Sequence, residues 1–198
     1  HFEREVSIVG VRSTTGEVRA YPIVANTHKD GILRVTLAPH RHPDLQKAAE
    51  ICLKRVLRHF EYAGVLTLEF FVARGRLVAN EMAPRVHNSG HWTIEGSETS
   101  QFQNHLRAVL GLPLGSTSAR GVSCMLNWIG ALPERDVVLD EAGGHWHDYG
   151  KSAREGRKVG HATLRADAAS ALADALERVG AALDRREQVA GPIARLRT

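Results

Sequence analysis

The sequence predicts an α+β fold in which antiparallel strands dominate. Three observations carry this. Short apolar runs come in pairs separated by polar turns, the pattern of β-hairpins. Two longer stretches repeat apolar residues at helical spacing. No internal repeat or low-complexity block interrupts them. Val6 to Val11 and Val18 to Val24 form the first pair, joined by the turn Ser13-Thr14-Thr15-Gly16. Ile32 to Leu37 is a third strand. Pro43 and Asp44 open a helix, since Pro is tolerated in a first turn. Its apolar series is Leu45, Ala48, Ala49, Cys52, Leu53, Val56, Leu57 and Phe60, with Gly64 as the expected C-cap. Val65 to Val72 and Leu77 to Glu81 make a second hairpin around Ala73-Arg74-Gly75-Arg76. A loop over Asn88 to Gly96 leads to a helix carrying Phe102, Leu106, Val109 and Leu110, which ends at Gly111. The Gly/Ser/Thr/Pro-rich stretch 112–120 is the expected linker. Beyond it, Val122 to Ile129, Asp136 to Leu139 and Thr163 to Arg165 are read as strands. Asp167 is expected to cap a last helix bearing Leu172, Leu176, Val179 and Leu183. The residues from 186 to 198 are expected to be a polar tail.

The 198 residues are 43% hydrophobic and 24% charged, values that exclude collagen, a long coiled coil and a fully disordered chain. No segment approaches the roughly 20 apolar residues that span a bilayer, so no membrane partner is expected. His1-Phe2-Glu3-Arg4-Glu5 is not a signal peptide. The chain opens without Met into a strand-like pattern, as expected of a piece of a longer protein. Cys52 and Cys124 form no CxxC pair and read as buried thiols, which fits a reducing cytoplasm. The formal charge of +4 permits phosphate ligands. A nucleic-acid module would need clustered cations with stacking aromatics. Aromatics are only 6% of the chain and mostly sit in apolar strands, so no nucleic acid is expected.

Glu69 and Glu81 carry the most chemistry. Each interrupts an apolar strand, and a hairpin centred on Gly75 sets them opposite each other on one sheet face. Leu66, Leu68, Phe70, Val72 and Val78 then leave the other face for the core, with Asn80 as its polar exception. Facing like charges are destabilising unless a cation neutralises them, and Mg2+ commonly takes one or two carboxylates plus phosphate oxygens. The alternative is a solvent-facing pair bridged by Arg74, Arg76 or Arg85. The next segment, Ala83 to Thr93, is dense in polar residues with Gly and Pro, as binding loops are. Arg85 offers a bidentate donor to phosphate or carboxylate, and His87 a proton carrier near neutral pH. Asn88, Ser89 and the Gly90 amide can cradle anionic oxygens. Near the C-terminus, Lys151, Arg154, Arg157 and Lys158 form a mobile cationic cluster suited to a phosphate monoester. The Gly150-Lys151-Ser152 string is not a P-loop, because His145 stands where the motif needs Gly.

Several strings taken together resemble the 5-(carboxyamino)imidazole ribonucleotide synthase family of ATP-grasp ligases. They are Phe2-Glu3-Arg4-Glu5-Val6-Ser7, Asp30-Gly31-Ile32-Leu33, Asn80 to Thr93, Ser100-Gln101-Phe102 and Gly156 to His161. The resemblance runs from residue 1 to about 185. It implies the C-terminal part of an ATP-grasp domain, an antiparallel sheet with helices, over 1–111. A small β-rich domain with a terminal helix follows over 121–185. The implied reaction is ATP-dependent carboxylation of aminoimidazole ribonucleotide with bicarbonate, through carboxyphosphate, in purine biosynthesis in the cytoplasm. The implied cofactors are ATP and Mg2+, with two ions on Glu69 and Glu81. Asn80 and Glu81 match nucleotide-binding positions, Glu5 an ATP-site glutamate on the ribose hydroxyls, and His28 a further ATP-site position. Arg85, His87 and Asn88 match the ribonucleotide side, with His87 as a candidate acceptor of the amine proton. Lys151, Arg157 and Lys158 match the loop that clamps the ribonucleotide phosphate. Family members are homodimers about twice this length, so the chain alone is expected to have little or no ligase activity. Another ATP-grasp carboxylase and a non-catalytic basic binding module are the competing readings.

Overall fold

The computed structural model describes residues 1–198. The chain divides into two compact units, residues 1–26 with 38–120, and residues 27–37 with 121–198.

In the first unit, β1 (Arg4–Arg12) pairs antiparallel with β2 (Val18–Ala20) and with β3 (Val24–Lys29). The expected single strand Val18 to Val24 is thus two strands. Pro22 lies in the break, where it has no N–H to give to a ladder. Beyond Asn26, β3 turns back over Asp30-Gly31 into β4 (Ile32–Ala38), which belongs to the second unit. Helix α1 (Pro43–His59) comes next, then β5 (Gly64–Ala73) and β6 (Arg76–Ala83). The strands of this unit lie in the order β6-β5-β1-β3. A 3₁₀ turn (Asn88–Gly90), α2 (Thr93–Gly96) and α3 (Gln101–Val109) complete it.

The helical stripe read from the sequence covers one sheet face. Leu45, Ala49, Leu53 and Leu57 of α1 are buried against Val6, Ile8, Leu66, Leu68, Phe70 and Val72. Each such leucine contributes about 1.5–3 kcal/mol. The approach is close: a Cβ on Gly10 would stand 2.3 Å from Leu53 Cδ2. The helix ends earlier than expected. Phe60 is its C-cap and is 61% exposed, and Glu61, not Gly64, takes the first positive φ of 48°. On the other face, Val9, Val11, Tyr21 and Val65 pack with Ala108 of α3 and Leu114.

The second unit orders its strands β4-β7-β9-β8, with β7 (Val122–Ile129), β8 (Gly144–Asp148) and β9 (Lys158–Ala166) all antiparallel. Asp136–Leu139, read as a strand, is the single helical turn α4, closed by Asp140 N–H onto the Asp136 carbonyl. Its two valines suggest a strand, but only Val138 is buried. The expected strand Thr163 to Arg165 is the end of a longer one. The cap of α5 (Ala169–Ala182) is Ala168, one residue past Asp167, with no side-chain bond. The expected polar tail is the helix α6 (Arg186–Leu196). Val189, Ile193 and Leu196 pack it on the core of Val35, Leu37, Trp128, Leu172, Leu176 and Val179. A Cβ on Gly180 of α5 would stand 2.4 Å from Val189 Cγ2. β4 therefore contributes to this core, although the sequence places residues 27–37 with the first domain.

All three tyrosines resist ionisation. Burial pushes Tyr21 and Tyr62 up, and Tyr149 up to about 12. The folded chain therefore holds phenolic protons that the unfolded chain releases near pH 10. This stabilisation is complete below about pH 10 and is lost as pH rises through 12. Tyrosinate absorbance at about pH 10.5 is expected to be small in the native chain and large in urea. Equal native and unfolded titrations would contradict it.

Candidate active site

The site begins with the hairpin of β5 and β6. Its turn is the two-residue Arg74-Gly75, with φ of 51° and 69°, the left-handed pair that suits a tight hairpin. The register runs Ala73↔Arg76, Val72↔Leu77, Phe71↔Val78 and Phe70↔Ala79. Continued unbroken, it would set Asn80 opposite Glu69. A β-bulge absorbs Asn80 instead, and Glu81 comes opposite Glu69. The expected pair is present, but a bulge rather than a turn centred on Gly75 produces it. The bulge corrects two expectations. Val78, expected in the core, faces Phe71 and is 50% exposed, and Leu77 takes its place against the α1 core. Asn80 is the exposed bulge residue, not a polar exception in the core.

Glu81 is exposed and Glu69 is 8% exposed. The register carries the same face inward: Ser7 lies opposite Glu69, Glu5 opposite Phe71, and Asn26 opposite Glu5. One sheet face thus presents Glu81, Glu69, Ser7, Glu5 and Asn26 in neighbouring rows. No group of three or more His, Cys, Asp or Glu side chains is placed to hold a metal ion by itself. Two facing carboxylates without a third protein ligand fit Mg2+, which completes its shell with water and phosphate oxygens. They do not fit a structural zinc site.

The polar segment after β6 is a clamped loop. His87 N–H donates to Gln101 Oε1 (3.0 Å), and Gln101 Nε2 donates to the His87 carbonyl (2.7 Å). A Cβ at Gly90 would meet that same Gln101 Oε1 at 2.5 Å. Thr93 Oγ1 donates to the Gly90 carbonyl, Trp92 is buried, and the Tyr62 hydroxyl donates to the Pro84 carbonyl (2.8 Å). Arg85 is exposed, with Nη1 donating to the Val86 carbonyl (3.0 Å). Both amide atoms of Asn88 are buried without a partner in the protein, a donor and an acceptor left for a bound group. His87 Nε2 stands 3.8 Å from Glu69 Oε1, so the structure brings Glu69, Glu81, His87 and Ser89 together, while Asn80 adjoins Glu81 in the chain and Arg85 and Asn88 lie on the same loop as His87. Ser7, Asn26 and Gln101 also bond into this region, although the sequence alone does not mark them as site residues. Ser7 is a polar residue in an apolar strand, and Ser7 and Gln101 fall within strings that carry the family resemblance, whereas Asn26 opens a polar run.

His28, Lys151, Arg157 and Lys158 belong to the second unit. His28 is half-buried on β3. Lys151 Nζ lies 5.2 Å over the Tyr149 ring, whose hydroxyl is 2.8 Å from His161 Nδ1. Arg157 Nη1 donates to Ser152 Oγ (3.0 Å). In the backbone of this cluster, Arg154 N–H donates to the Gly130 carbonyl and Gly130 N–H to the Arg157 carbonyl.

Comparison with known proteins shows which family and fold the chain shares. The family described as the ATP-grasp domain matches residues 1–102, and the phosphoribosylaminoimidazole carboxylase C-terminal domain matches residues 123–175. The N5-carboxyaminoimidazole ribonucleotide synthase of Pseudomonas aeruginosa is 60% identical over 164 residues, 83% of this chain and 45% of that protein. The crystal structure of the Thermus thermophilus synthetase superposes with a TM-score of 0.89 at 57% identity, covering 91% of this chain and 51% of that one. The Aspergillus clavatus synthase, solved with ADP and 5-aminoimidazole ribonucleotide, gives 0.84 at 32% identity, covering 93% and 52%. The chain spans about half the length of the curated relatives it matches. It belongs to the ATP-grasp family, and within that family its similarities lie with the N5-carboxyaminoimidazole ribonucleotide synthases.

Proposed function

We propose that this chain supplies the carboxylate and anion-binding half of a ligase that carboxylates 5-aminoimidazole ribonucleotide with ATP and bicarbonate. The observation that carries the reading is the Glu69–Glu81 pair set beside the clamped Arg85–Ser89 loop. Bicarbonate oxygen attacks the γ-phosphorus of ATP, giving carboxyphosphate and ADP. The acceptor amine then forms a bond to the carboxyl carbon, directly or through released CO2, and phosphate leaves. Catalysis of this kind is chiefly positioning and charge neutralisation. Glu69 and Glu81 would hold Mg2+, which would neutralise the polyphosphate charge.

The chain's own residues do the rest. Asn80 and Glu81 receive the nucleotide at the open bulge, Glu5 accepts from its ribose hydroxyls, and His28 adds an ATP contact. Arg85 pairs with the carboxylate or phosphate of carboxyphosphate through two parallel donors. Asn88 offers its amide to the same anion, and Ser89, buried beneath the loop, acts on it through its contact with His87. Lys151, Arg157 and Lys158 bind the acceptor's phosphate monoester. The cytoplasm and a homodimer are the setting this reading carries.

The test joins the chain to the upstream half of a relative and measures ADP release. Release is expected to require bicarbonate and to rise with the aminoimidazole acceptor, and none is expected from the 198-residue chain alone. Turnover by the chain alone, or release indifferent to bicarbonate, would contradict it.

A further inference from the structure

A buried hydroxyl relay runs beneath His87. Asn26 Nδ2 donates to Ser7 Oγ (2.9 Å), and Ser7 Oγ donates to Ser89 Oγ (2.9 Å). Ser89 Oγ lies 2.9 Å from His87 Nδ1, and the Ser89 backbone N–H donates to that same nitrogen (3.3 Å). Ser7 and Ser89 are 0% exposed and Asn26 is 4% exposed. The relay joins residues as far as 82 positions apart in the chain.

Its direction fixes the imidazole tautomer. A backbone N–H is only ever a donor, so His87 Nδ1 meets it with a lone pair. The Ser89 hydroxyl points its proton the same way. Because the backbone N–H makes Nδ1 an acceptor, the Ser89 hydroxyl is the donor in its 2.9 Å contact with that nitrogen, while its oxygen accepts from Ser7. Both contacts hold the single ring proton of neutral His87 on Nε2, the nitrogen that faces Glu69 Oε1. A carboxylate on that side favours an N–H there as well.

We propose that Asn26, Ser7 and Ser89 are positioning residues that lock His87 as its Nε2–H tautomer. His87 then presents a fixed N–H donor, not a basic lone pair, at the Glu69 end of the site. Resting on the ligase reading, its role is to donate to an anionic oxygen of bicarbonate or carboxyphosphate, and the amine proton leaves on the phosphate released from carboxyphosphate. This reverses the proton-acceptor role suggested by the sequence.

The test is long-range 1H–15N correlation spectroscopy of the chain labelled with 15N-histidine, at mildly alkaline pH. The His87 signals are assigned by their loss in His87→Gln. The expected pattern is a protonated Nε2 and an unprotonated, hydrogen-bonded Nδ1. In Ser89→Ala only the longer 3.3 Å backbone contact still fixes the ring, in Ser7→Ala the Ser89 hydroxyl loses its own donor, and in both the pattern is expected to shift toward an averaged mixture of tautomers. In the completed enzyme both variants are expected to lose roughly 10- to 100-fold in kcat/KM for bicarbonate, the scale of other groups that orient a histidine. The wild-type spectrum decides even where a variant fails to fold. An Nδ1–H or averaged wild-type His87, or folded variants with an unchanged tautomer, would overturn the proposal. The spectrum needs no turnover, so failure of the ligase assay alone is recognised separately.

Discussion

Glu69→Gln is expected to abolish most turnover of the completed ligase, by about 10³-fold in kcat, while leaving the fold intact. The substitution keeps shape and removes one charge. Glu69 lies opposite Glu81 and is largely withdrawn from water. Without metal, two facing carboxylates repel each other. Their separation into one charged and one neutral group is therefore worth about 0.2–1 kcal/mol of stability. The variant should thus melt no lower than wild type in chelator, and should lose the stabilisation that Mg2+ with nucleotide gives the wild type. Thermal melts in both conditions, beside initial rates, check this. A variant that melts much lower in chelator would mean that Glu69 is structural. One that keeps its rate would remove Glu69 from the site.

The largest stability effect is expected at Trp128. Its side chain is 0% exposed at the centre of the second unit, with the Trp146 ring 5.6 Å away and the Arg185 guanidinium 5.5 Å over its face. Trp128→Ala removes this volume where strands and helices meet, and the expected cost is about 3–5 kcal/mol. Trp128→Phe is expected to cost less. The indole N–H is buried without a protein partner, so that change forfeits packing and no internal hydrogen bond. Denaturant midpoints at constant slope measure both. A loss below about 1 kcal/mol for Trp128→Ala would place the core elsewhere.

Features set by a single periodicity are legible in the sequence. The stripe Leu45, Ala49, Leu53 and Leu57 reports one buried helix face, and that face is observed. Glu69 and Glu81 stand out because charge in an apolar strand needs a reason. Features that depend on three-dimensional pairing are not legible in this way. The bulge at Asn80 alters pairing without altering composition, so a plain alternation puts Val78 in the core that Leu77 occupies. In α6, Val189, Pro192, Ile193 and Leu196 repeat at helical spacing, but Gly191-Pro192 and the surrounding arginines read as a tail. Ser7, Asn26 and Ser89 carry no shared local pattern, and only the pairing of β1 with β3 and β5 brings them to His87.

The carboxylation reading is decided by tracing 13C-bicarbonate in the enzyme assembled from this chain and an upstream half. One labelled carbon is expected to reach the exocyclic amine of 5-aminoimidazole ribonucleotide for each ATP cleaved, with transfer lost in Glu69→Gln. ATP cleavage that never labels the acceptor, or labelling that survives Glu69→Gln, would contradict it.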